Sequence, residues 1–221
     1  MLSFNALLGL ISELIALLAG LVCYRLLNKP FKLLLLYVAI TCTVELLGLF
    51  TTRAGINIFW TYNLYLVADN LLQLKIIKGL VPNNFVRKTS NGFAALFMIV
   101  WALNTVWAKG VNGYLKFAFI ADFLFLLIGF IILLYFYAMQ ERGPLYRGAV
   151  FWLCVGSILF YGCSFVYFSV RDYLPVYLDR DQNRILLVCL NYITAIRYLF
   201  IGYAFFLFRN SDKKQHWSNA G

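Results

Sequence analysis

The amino-acid sequence predicts an all-α membrane protein with seven transmembrane helices. Hydrophobic residues make up 63% of the chain and aromatic residues 19%, whereas charged residues make up only 13%, against ~25% in an ordinary soluble domain. The apolar residues are gathered in runs of about 20, the length that an α-helix needs to cross a bilayer. The runs are apolar on all faces, which is typical of membrane helices and unlike the alternating pattern of barrel strands.

Short connectors with glycine, proline, asparagine or aspartate separate the runs, as expected between neighbouring helices of a bundle. The sequence therefore predicts one transmembrane domain over 1–209 and a short polar cytoplasmic tail over 210–221. The seven runs cover 4–27, 32–53, 57–79, 91–108, 114–139, 148–170 and 184–208.

The distribution of lysine and arginine predicts the orientation, because cytoplasmic loops carry an excess of both. The lysine and arginine residues at the helix ends fall into two sets, one on each side of the membrane. We assign the larger set to the cytoplasm, and this puts the N-terminus outside and the C-terminus inside. The net charge of +10 then reflects orientation and contact with anionic lipid headgroups, and no nucleic acid partner is expected. The larger set holds Arg25, Lys29, Lys32, Lys75, Lys78, Arg87, Lys88, Arg142, Arg147, Arg209, Lys213 and Lys214, and the smaller Arg53, Lys109, Lys116, Arg171, Arg180 and Arg184.

Five ionisable residues lie inside the apolar runs. A charge at bilayer depth costs at least ~2.5–3.5 kcal/mol, so each such residue is a functional-site hypothesis that needs a partner. Counted from the outer helix ends at ~1.5 Å per residue, all five lie about 12–20 Å deep. The sequence therefore places them in one layer between the outer third and the middle of the membrane. They are Glu13, Glu45, Asp69, Asp122 and Arg197.

Helical spacing places most of these charges on a polar or small-residue face that points into the bundle. Gly9, Glu13, Ala16 and Gly20 share a face of the first helix, and the sixth helix carries a polar face without a charge. In the last helix, a polar face is formed by Asn191, Thr194, Arg197 and Tyr198. The fourth helix offers only Asn104 and is predicted to be peripheral. The predicted ligand-binding residues are Glu13, Glu45, Asn63, Asp69, Asn70, Asp122, Asn191, Arg197 and Tyr198.

One arginine cannot neutralise four carboxylates. If Arg197 pairs with the nearest acid, the other acids must be protonated through desolvation, hydrogen-bonded to Tyr, Thr and Asn neighbours, or open to water and to a cation. This surplus of acids suggests a binding site. The alternative is that these polar residues only hold the helices together by interhelical hydrogen bonds.

Two segments suggest an internal repeat. Residues 11–20 align with 120–129, so that Glu13 falls on Asp122 and Gly20 on Gly129. The first three helices and the last three would then be two copies of a parallel repeat in a 3+1+3 arrangement, with the fourth helix as a linker. Chance similarity of leucine-rich segments is the alternative explanation.

The segment Glu45-Leu46-Leu47-Gly48, followed by Asn63-Leu64-Tyr65 and the acid Asp69, resembles a group of small uncharacterised seven-helix inner-membrane proteins of Bacteroidota. The resemblance covers mainly the second and third helices, and that family tends to carry Glu where this chain has Asp69. It implies a bacterial inner membrane and says little about activity.

Residue types exclude several functions. The last helix has no lysine for a retinal Schiff base, the only histidine lies in the polar tail, and no phosphate-binding loop or hydrolase triad occurs. We therefore expect no metal or cofactor and favour a non-enzymatic role.

The first hypothesis is a receptor-like or sensory binding protein with an outward-opening, carboxylate-rich pocket for a small cationic or zwitterionic ligand, working with a separate signalling effector protein. The alternative is a proton- or cation-coupled transporter of small solutes. The third hypothesis is a membrane-embedded acid/base enzyme acting on a lipid. Membrane lipids are partners in all three.

Overall fold

The computed structural model describes the backbone of residues 4–55, 59–108, 110–141 and 143–218, and side chains within 7–209 apart from 52–53, 56–58, 109, 142, 175 and 180. Over these residues the fold is all-α, as predicted: seven helices of 20 or more residues and one of four. The helices are α1 Phe4–Cys23, α2 Lys29–Arg53, α3 Phe59–Leu80, α4 Asn84–Trp107, α5 Lys116–Gln140, α6 Ala149–Val170, α7 Leu174–Tyr177 and α8 Arg180–Ser218.

Six of the long helices are apolar enough to cross a membrane, which makes this a multi-pass membrane protein. The exception is α3, whose 22 residues include Asp69, Lys75 and Lys78. Its polar side chains Asn63, Asp69, Asn70 and Gln73 are buried in the bundle. The six membrane-compatible segments are Leu7–Leu26, Lys29–Thr51, Asn84–Trp107, Lys116–Gln140, Ala149–Val170 and Asp181–Arg209.

The long helices form a ring. Each packs on the next along the chain from α1 to α6, and α8 closes the ring by packing on both α6 and α1. Because α3 also packs directly on α5, α4 is left on the outside. Only 17% of the α4 membrane segment is buried, against 28–39% for the other five, which confirms its predicted peripheral position.

Small residues allow close approach along the seam between α1 and α8, as the small-residue face of the first helix predicted. Ala16 is fully buried, and a Cβ atom added to Gly202 would lie 3.4 Å from the Cα atom of Ala16. The backbones of the two helices are therefore in van der Waals contact, a packing that membrane helices achieve with small residues.

Capping residues move two helix boundaries away from the apolar runs. The side chain of Asn83 accepts hydrogen bonds from the backbone N–H groups of Phe85 and Val86, so α4 begins seven residues before the predicted start at 91. At the start of α8, the side chain of Gln182 accepts from the backbone N–H of Asp179 at 3.1 Å. This helix runs on to Ser218 through most of the predicted tail, of which 219–221 lie outside the described residues.

The two halves of the ring differ in content. We call the end with the connector residues 54–55, 108, 110–115 and 171–179 the first end, and the end with the connector residues 24–28, 81–83, 141 and 143–148 the second end. The half near the second end is filled by an apolar cluster, while the half near the first end encloses polar side chains. The apolar cluster includes Leu27, Phe31, Leu34, Leu74, Ile77, Phe130, Leu133, Leu153 and Phe205.

Contacts between the connectors hold the first end together. The Nζ atom of Lys116 lies 2.6 Å from the carboxylate of Asp172, and the guanidinium of Arg171 lies 4.7 Å from the centre of the Tyr114 ring. Burial raises the pKa of the Tyr114 phenol, an effect that the neighbouring Arg171 opposes. The phenol thus adds no negative charge at this end at neutral pH.

Candidate functional site

A cavity of about 300 Å³ lies in the half of the ring near the first end, at the lower limit of the ~300–1,000 Å³ usual for small-molecule sites. Residues from six helices line it, and eleven of them, on α1, α2, α3 and α8, carry a hydroxyl, carboxyl, amide or guanidinium group. The lining residues are Gly9, Leu10, Glu13, Tyr37, Thr41, Glu45, Leu49, Tyr62, Tyr65, Leu66, Asp69, Phe119, Phe123, Phe160, Asn191, Thr194, Arg197 and Tyr198.

The structure brings six of the nine predicted site residues to this cavity: Glu13, Glu45, Asp69, Asn191, Arg197 and Tyr198. The polar face predicted for the last helix is intact, because Thr194 also lines the cavity. The remaining three, Asn63, Asn70 and Asp122, are buried elsewhere in the bundle.

Arg197 forms the floor of the cavity and is only 1% exposed. Its guanidinium carbon lies 4.4 Å from the ring centre of Phe160, 4.5 Å from Tyr161, 5.5 Å from Tyr37 and 5.7 Å from Tyr198. A desolvated cation within ~6 Å of aromatic rings is stabilised by their quadrupoles. Four rings on three helices therefore supply part of what the arginine loses on leaving water.

A tyrosine connects this arginine to an acid. The Nη2 atom of Arg197 donates to the hydroxyl of Tyr161 at 2.7 Å, and that hydroxyl donates to Asp69 Oδ1 at 3.5 Å. Among the described residues, Arg197 lies within 4.0 Å of no carboxylate oxygen. Within the described residues, Arg197 and Asp69 are thus connected by a bridge through Tyr161 and not by a direct ion pair.

Asp122 and Asn70 lie behind the floor. The Nδ2 atom of Asn70 donates to Asp122 Oδ1 at 2.8 Å, and neither residue is exposed to solvent. The carboxyl groups of Asp122 and Asp69 are close enough to interact. These two residues support the floor and do not form the cavity surface.

Asn63 has a structural position. Its Nδ2 atom donates to the carbonyl oxygens of Val111 and Gly113, each at 2.7 Å, while Trp101 Nε1 donates to the carbonyl oxygen of Asn63 at 3.1 Å. These bonds tie α3 to α4 and to the connector before α5. The backbone carbonyl groups of this connector need hydrogen-bond partners when they are buried. Sequence spacing alone could not show that the connector folds back over α3.

Glu13 and Glu45 form the wall of the cavity. Glu13 is 3% exposed, its Oε2 atom has no hydrogen-bond partner among the described residues, and its carboxyl group interacts with the Cys42 thiol and with Glu45. Glu45 is partly exposed. Neither acid forms an ion pair within the described part of the chain, so the wall carries acids without a direct basic partner.

Hydroxyl groups lie between the wall and the floor. Thr41 Oγ1 and Tyr65 Oη are 2.8 Å apart, Tyr65 Oη donates to Tyr37 Oη at 3.4 Å, and the hydroxyls of Tyr37 and Tyr198 are 3.5 Å apart. A chain of neutral donors and acceptors thus runs along the side of the cavity that α2, α3 and α8 form.

Exposure of the lining increases toward the first end. The deep lining residues Tyr37, Asp69 and Arg197 are buried, whereas Gly9 and Leu49, nearer to the connectors, are partly exposed. The more exposed part of the lining therefore lies toward the first end, and the apolar cluster lies toward the second.

Apart from Tyr198, the sequence analysis did not select the aromatic residues around Arg197 as site residues. Tyr37 and Phe160 were inconspicuous among 36 phenylalanines and tyrosines, and Tyr161 was noted only for the uncharged polar face of the sixth helix. One signal was available: Tyr37, Thr41 and Glu45 recur at intervals of four and so share a helix face. No such signal marks Phe160, because its role depends on the neighbouring helix.

Comparison with protein-family models, curated proteins and solved structures gives no match for this chain. Its function is therefore inferred from the cavity itself.

Proposed function

We propose that this chain is a receptor-like or sensory membrane protein whose cavity binds a small cationic or zwitterionic ligand. The observation that carries the proposal is the contrast between the acids of the cavity. Asp69 is bridged to Arg197 through Tyr161, whereas Glu13 and Glu45 line the same cavity and make no ion pair with any described residue. A buried carboxylate without a partner is costly, and a ligand cation between these two acids supplies what is missing.

The positions of the groups suggest how a zwitterion binds. An amine or quaternary ammonium fits between Glu13 and Glu45, beside the Tyr62 ring that also lines the cavity. An acid group fits deeper, at Arg197, whose Nε atom has no hydrogen-bond partner among the described residues. A simple cation uses the first position only.

We further propose that α3 is the seventh transmembrane helix. Its 22 residues at ~1.5 Å each span about 33 Å, sufficient for a ~30 Å hydrocarbon core. The burial of Asp69 and Asn70 removes their polar groups from lipid.

With the basic second end in the cytoplasm, the cavity opens outward, and the resemblance to Bacteroidota proteins favours a bacterial inner membrane. Reporter enzymes fused after residue 83 and at the C-terminus should both be cytoplasmic; a periplasmic reporter at either site contradicts this topology.

The binding proposal is tested by ligand-dependent thermal stability. The purified protein in detergent is screened against choline, glycine betaine, putrescine and the basic amino acids, with sulfate and succinate as anionic controls. A cationic or zwitterionic compound should raise the unfolding midpoint in a saturable manner. Stabilisation by the anions alone contradicts the proposal.

Variants locate the effect in the cavity. Glu45→Gln should weaken binding at least about tenfold, since it removes a charge-assisted contact, whereas Glu141→Gln, an exposed acid near the second end, should leave binding unchanged. Gly9→Phe tests separately whether the ligand needs the volume of the cavity. Gly9 lines the cavity and a Cβ atom there meets nothing within 4 Å, so the phenylalanine ring should occupy cavity volume and weaken binding. Equal affinity in Glu45→Gln and Glu141→Gln contradicts this site.

The hydroxyl chain supports proton-coupled transport as a second candidate. Tyr65, Tyr37 and Tyr198 link the region of the wall to that of the floor, and such chains can pass protons between acids. In proteoliposomes, uptake of a compound that stabilises the protein should then depend on a pH gradient and be lost in Tyr37→Phe. Binding without uptake favours the receptor.

A further inference from the structure

Three basic side chains lie together on the outer surface of α3 and α4 near the second end. Lys75 and Arg87 are exposed and Lys78 is half-buried. Lys75 and Lys78 are three residues apart, so they are neighbours on the surface of α3. The Nζ atom of Lys78 donates to Asn91 Oδ1 on α4 at 2.8 Å, and Arg87 lies one turn before Asn91 on the same face of α4. The three cations are thus gathered around one neutral amide.

This basic cluster has no acid partner among the described residues. None of its three members forms an ion pair within that part of the chain. The sequence of α4 contains no Asp or Glu, and the single acid of α3 is Asp69, which is buried at the cavity floor. At the second end, Glu141 lines a different cavity together with Asn28 and Arg147. Like charges at neighbouring positions of a helix destabilise it, so an anion bound at the cluster stabilises the fold.

The cluster lies at the depth where the bilayer changes from hydrocarbon to headgroups. Arg87 is three residues after Asn84, where the membrane-compatible segment of α4 begins, and Lys75 is five residues before the end of α3 at Leu80. At ~1.5 Å per residue these positions lie about 5–8 Å from the helix ends. Lysine and arginine at such a depth extend their charged groups toward the interface. Lipid phosphates are therefore within reach of the cluster.

The outer face of α3 is apolar farther from the second end. Leu64 is 48% exposed and Leu71 is 41% exposed. The intervals of seven and four residues between Leu64, Leu71 and Lys75 place all three on one face of the helix. An apolar strip that ends in a group of cations is complementary to a lipid with acyl chains and an anionic headgroup.

We propose that Lys75, Lys78 and Arg87 form a binding site for a phospholipid with two phosphate groups, of the cardiolipin type, on the outer face of α3 and α4. The phosphates contact the three cations, and the acyl chains lie along Leu64 and Leu71. One phosphate would leave two of the three charges without a partner, whereas two phosphates leave one. Basic pockets between membrane helices recognise such headgroups. The site is independent of the ligand cavity, because none of these five residues lines that cavity.

Lipid-dependent thermal stability tests the site. The purified full chain in detergent is heated with cardiolipin, with phosphatidylglycerol, which has one phosphate, or with diacylglycerol, which has none, all with the same acyl chains and without a cavity ligand. Cardiolipin should raise the unfolding midpoint in a saturable manner and at a lower concentration than phosphatidylglycerol. Equal half-saturating concentrations of these two lipids, no shift with cardiolipin, or an equal shift with diacylglycerol overturns the proposal. Inorganic pyrophosphate should give no shift; a shift equal to that of cardiolipin would assign the cluster to a free anion and overturn the lipid site.

Variants with equal loss of charge assign the effect to the cluster. Lys75→Gln/Arg87→Gln should raise the half-saturating cardiolipin concentration at least about tenfold, since each basic residue near an anionic lipid contributes to binding. Arg25→Gln/Arg147→Gln removes two exposed basic residues elsewhere at the second end and should leave that concentration unchanged. If the first double variant does not fold, Lys75→Gln alone should raise the concentration about fivefold. Equal effects of the cluster variant and its control overturn the site, because net charge alone would then account for binding.

Discussion

The floor and the wall of the cavity carry the same kind of acid in opposite surroundings. At the floor, Asp69 is bridged by Tyr161 to an arginine enclosed by four aromatic rings. At the wall, Glu13 and Glu45 line the cavity and form no ion pair within the part of the chain that the structure describes. The difference separates two uses of an intramembrane charge: a compensated group holds helices together, and an uncompensated group is available to a ligand.

The largest effect is expected from removing the floor cation. Arg197→Met removes the cation to which Tyr161 connects the buried Asp69. The loss should approach, from below, the about 3–5 kcal/mol that breaking a direct buried ion pair costs. Thermal unfolding in detergent measures the loss, with Arg184→Met, an exposed arginine of the same helix, as control. The double variant Arg197→Met/Asp69→Leu should recover part of the stability, since no charge is then left alone. Equal losses in Arg197→Met and Arg184→Met would show that the floor is not a coupled unit.

The bridge itself should contribute less. Tyr161→Phe keeps the ring that stacks on Phe130 at 5.8 Å but leaves the guanidinium and Asp69 each short of a hydrogen bond, at a cost of about 1–3 kcal/mol. Tyr167→Phe on the same helix is the matched control. An unchanged unfolding midpoint in Tyr161→Phe would mean that the floor is held by packing alone.

The same substitution, glycine to alanine, compares the packing around the floor, at Gly156, with the packing at the more exposed part of the cavity, at Gly9, which we call the mouth. A Cβ atom at Gly156 would lie 3.0 Å from the Phe200 ring and 3.4 Å from the Cα atom of Arg197, so Gly156→Ala should destabilise by about 1–2 kcal/mol after the gain in helix propensity. Gly9→Ala, with nothing within 4 Å of the added atom, should be neutral or stabilising. If both variants behave alike under thermal unfolding, the floor is not more tightly packed than the mouth.

The smallest effect on stability is expected at the wall. Glu45→Gln removes a charge that has no ion-pair partner among the described residues, so the free energy of unfolding should change by less than about 1 kcal/mol. Thermal unfolding without ligand, with Glu141→Gln as control, measures it. A loss as large as that in Arg197→Met would show that Glu45 belongs to the structural network and would weaken the binding proposal.

The sequence predicted the helices and most of the site because hydrophobicity and helical periodicity are local properties. The face with Asn191, Thr194, Arg197 and Tyr198 lines the cavity as expected. The start of α4 was predicted too late, since hydropathy does not register the cap at Asn83. Seven spans, the orientation and the internal repeat remain predictions.

Other features depended on how helices meet. Asn63, Asn70 and Asp122 share the residue types of the site, yet one binds a connector and two lie behind the floor. Spacing assigns a residue to a face, but which neighbour covers that face depends on the rotation of each helix and on the packing of its partners.

By itself, the sequence determined that this is a helical membrane protein with five ionisable residues inside its apolar runs, because length and hydrophobicity decide which segments can enter a bilayer. Only the tertiary structure decided which of these residues are compensated. Arg197 lies beside Tyr161 and Phe160 because α6 and α8 approach closely at Gly156. Whether a buried charge stabilises the fold or awaits a ligand depends on its neighbours within a few ångströms, and those neighbours come from distant parts of the chain.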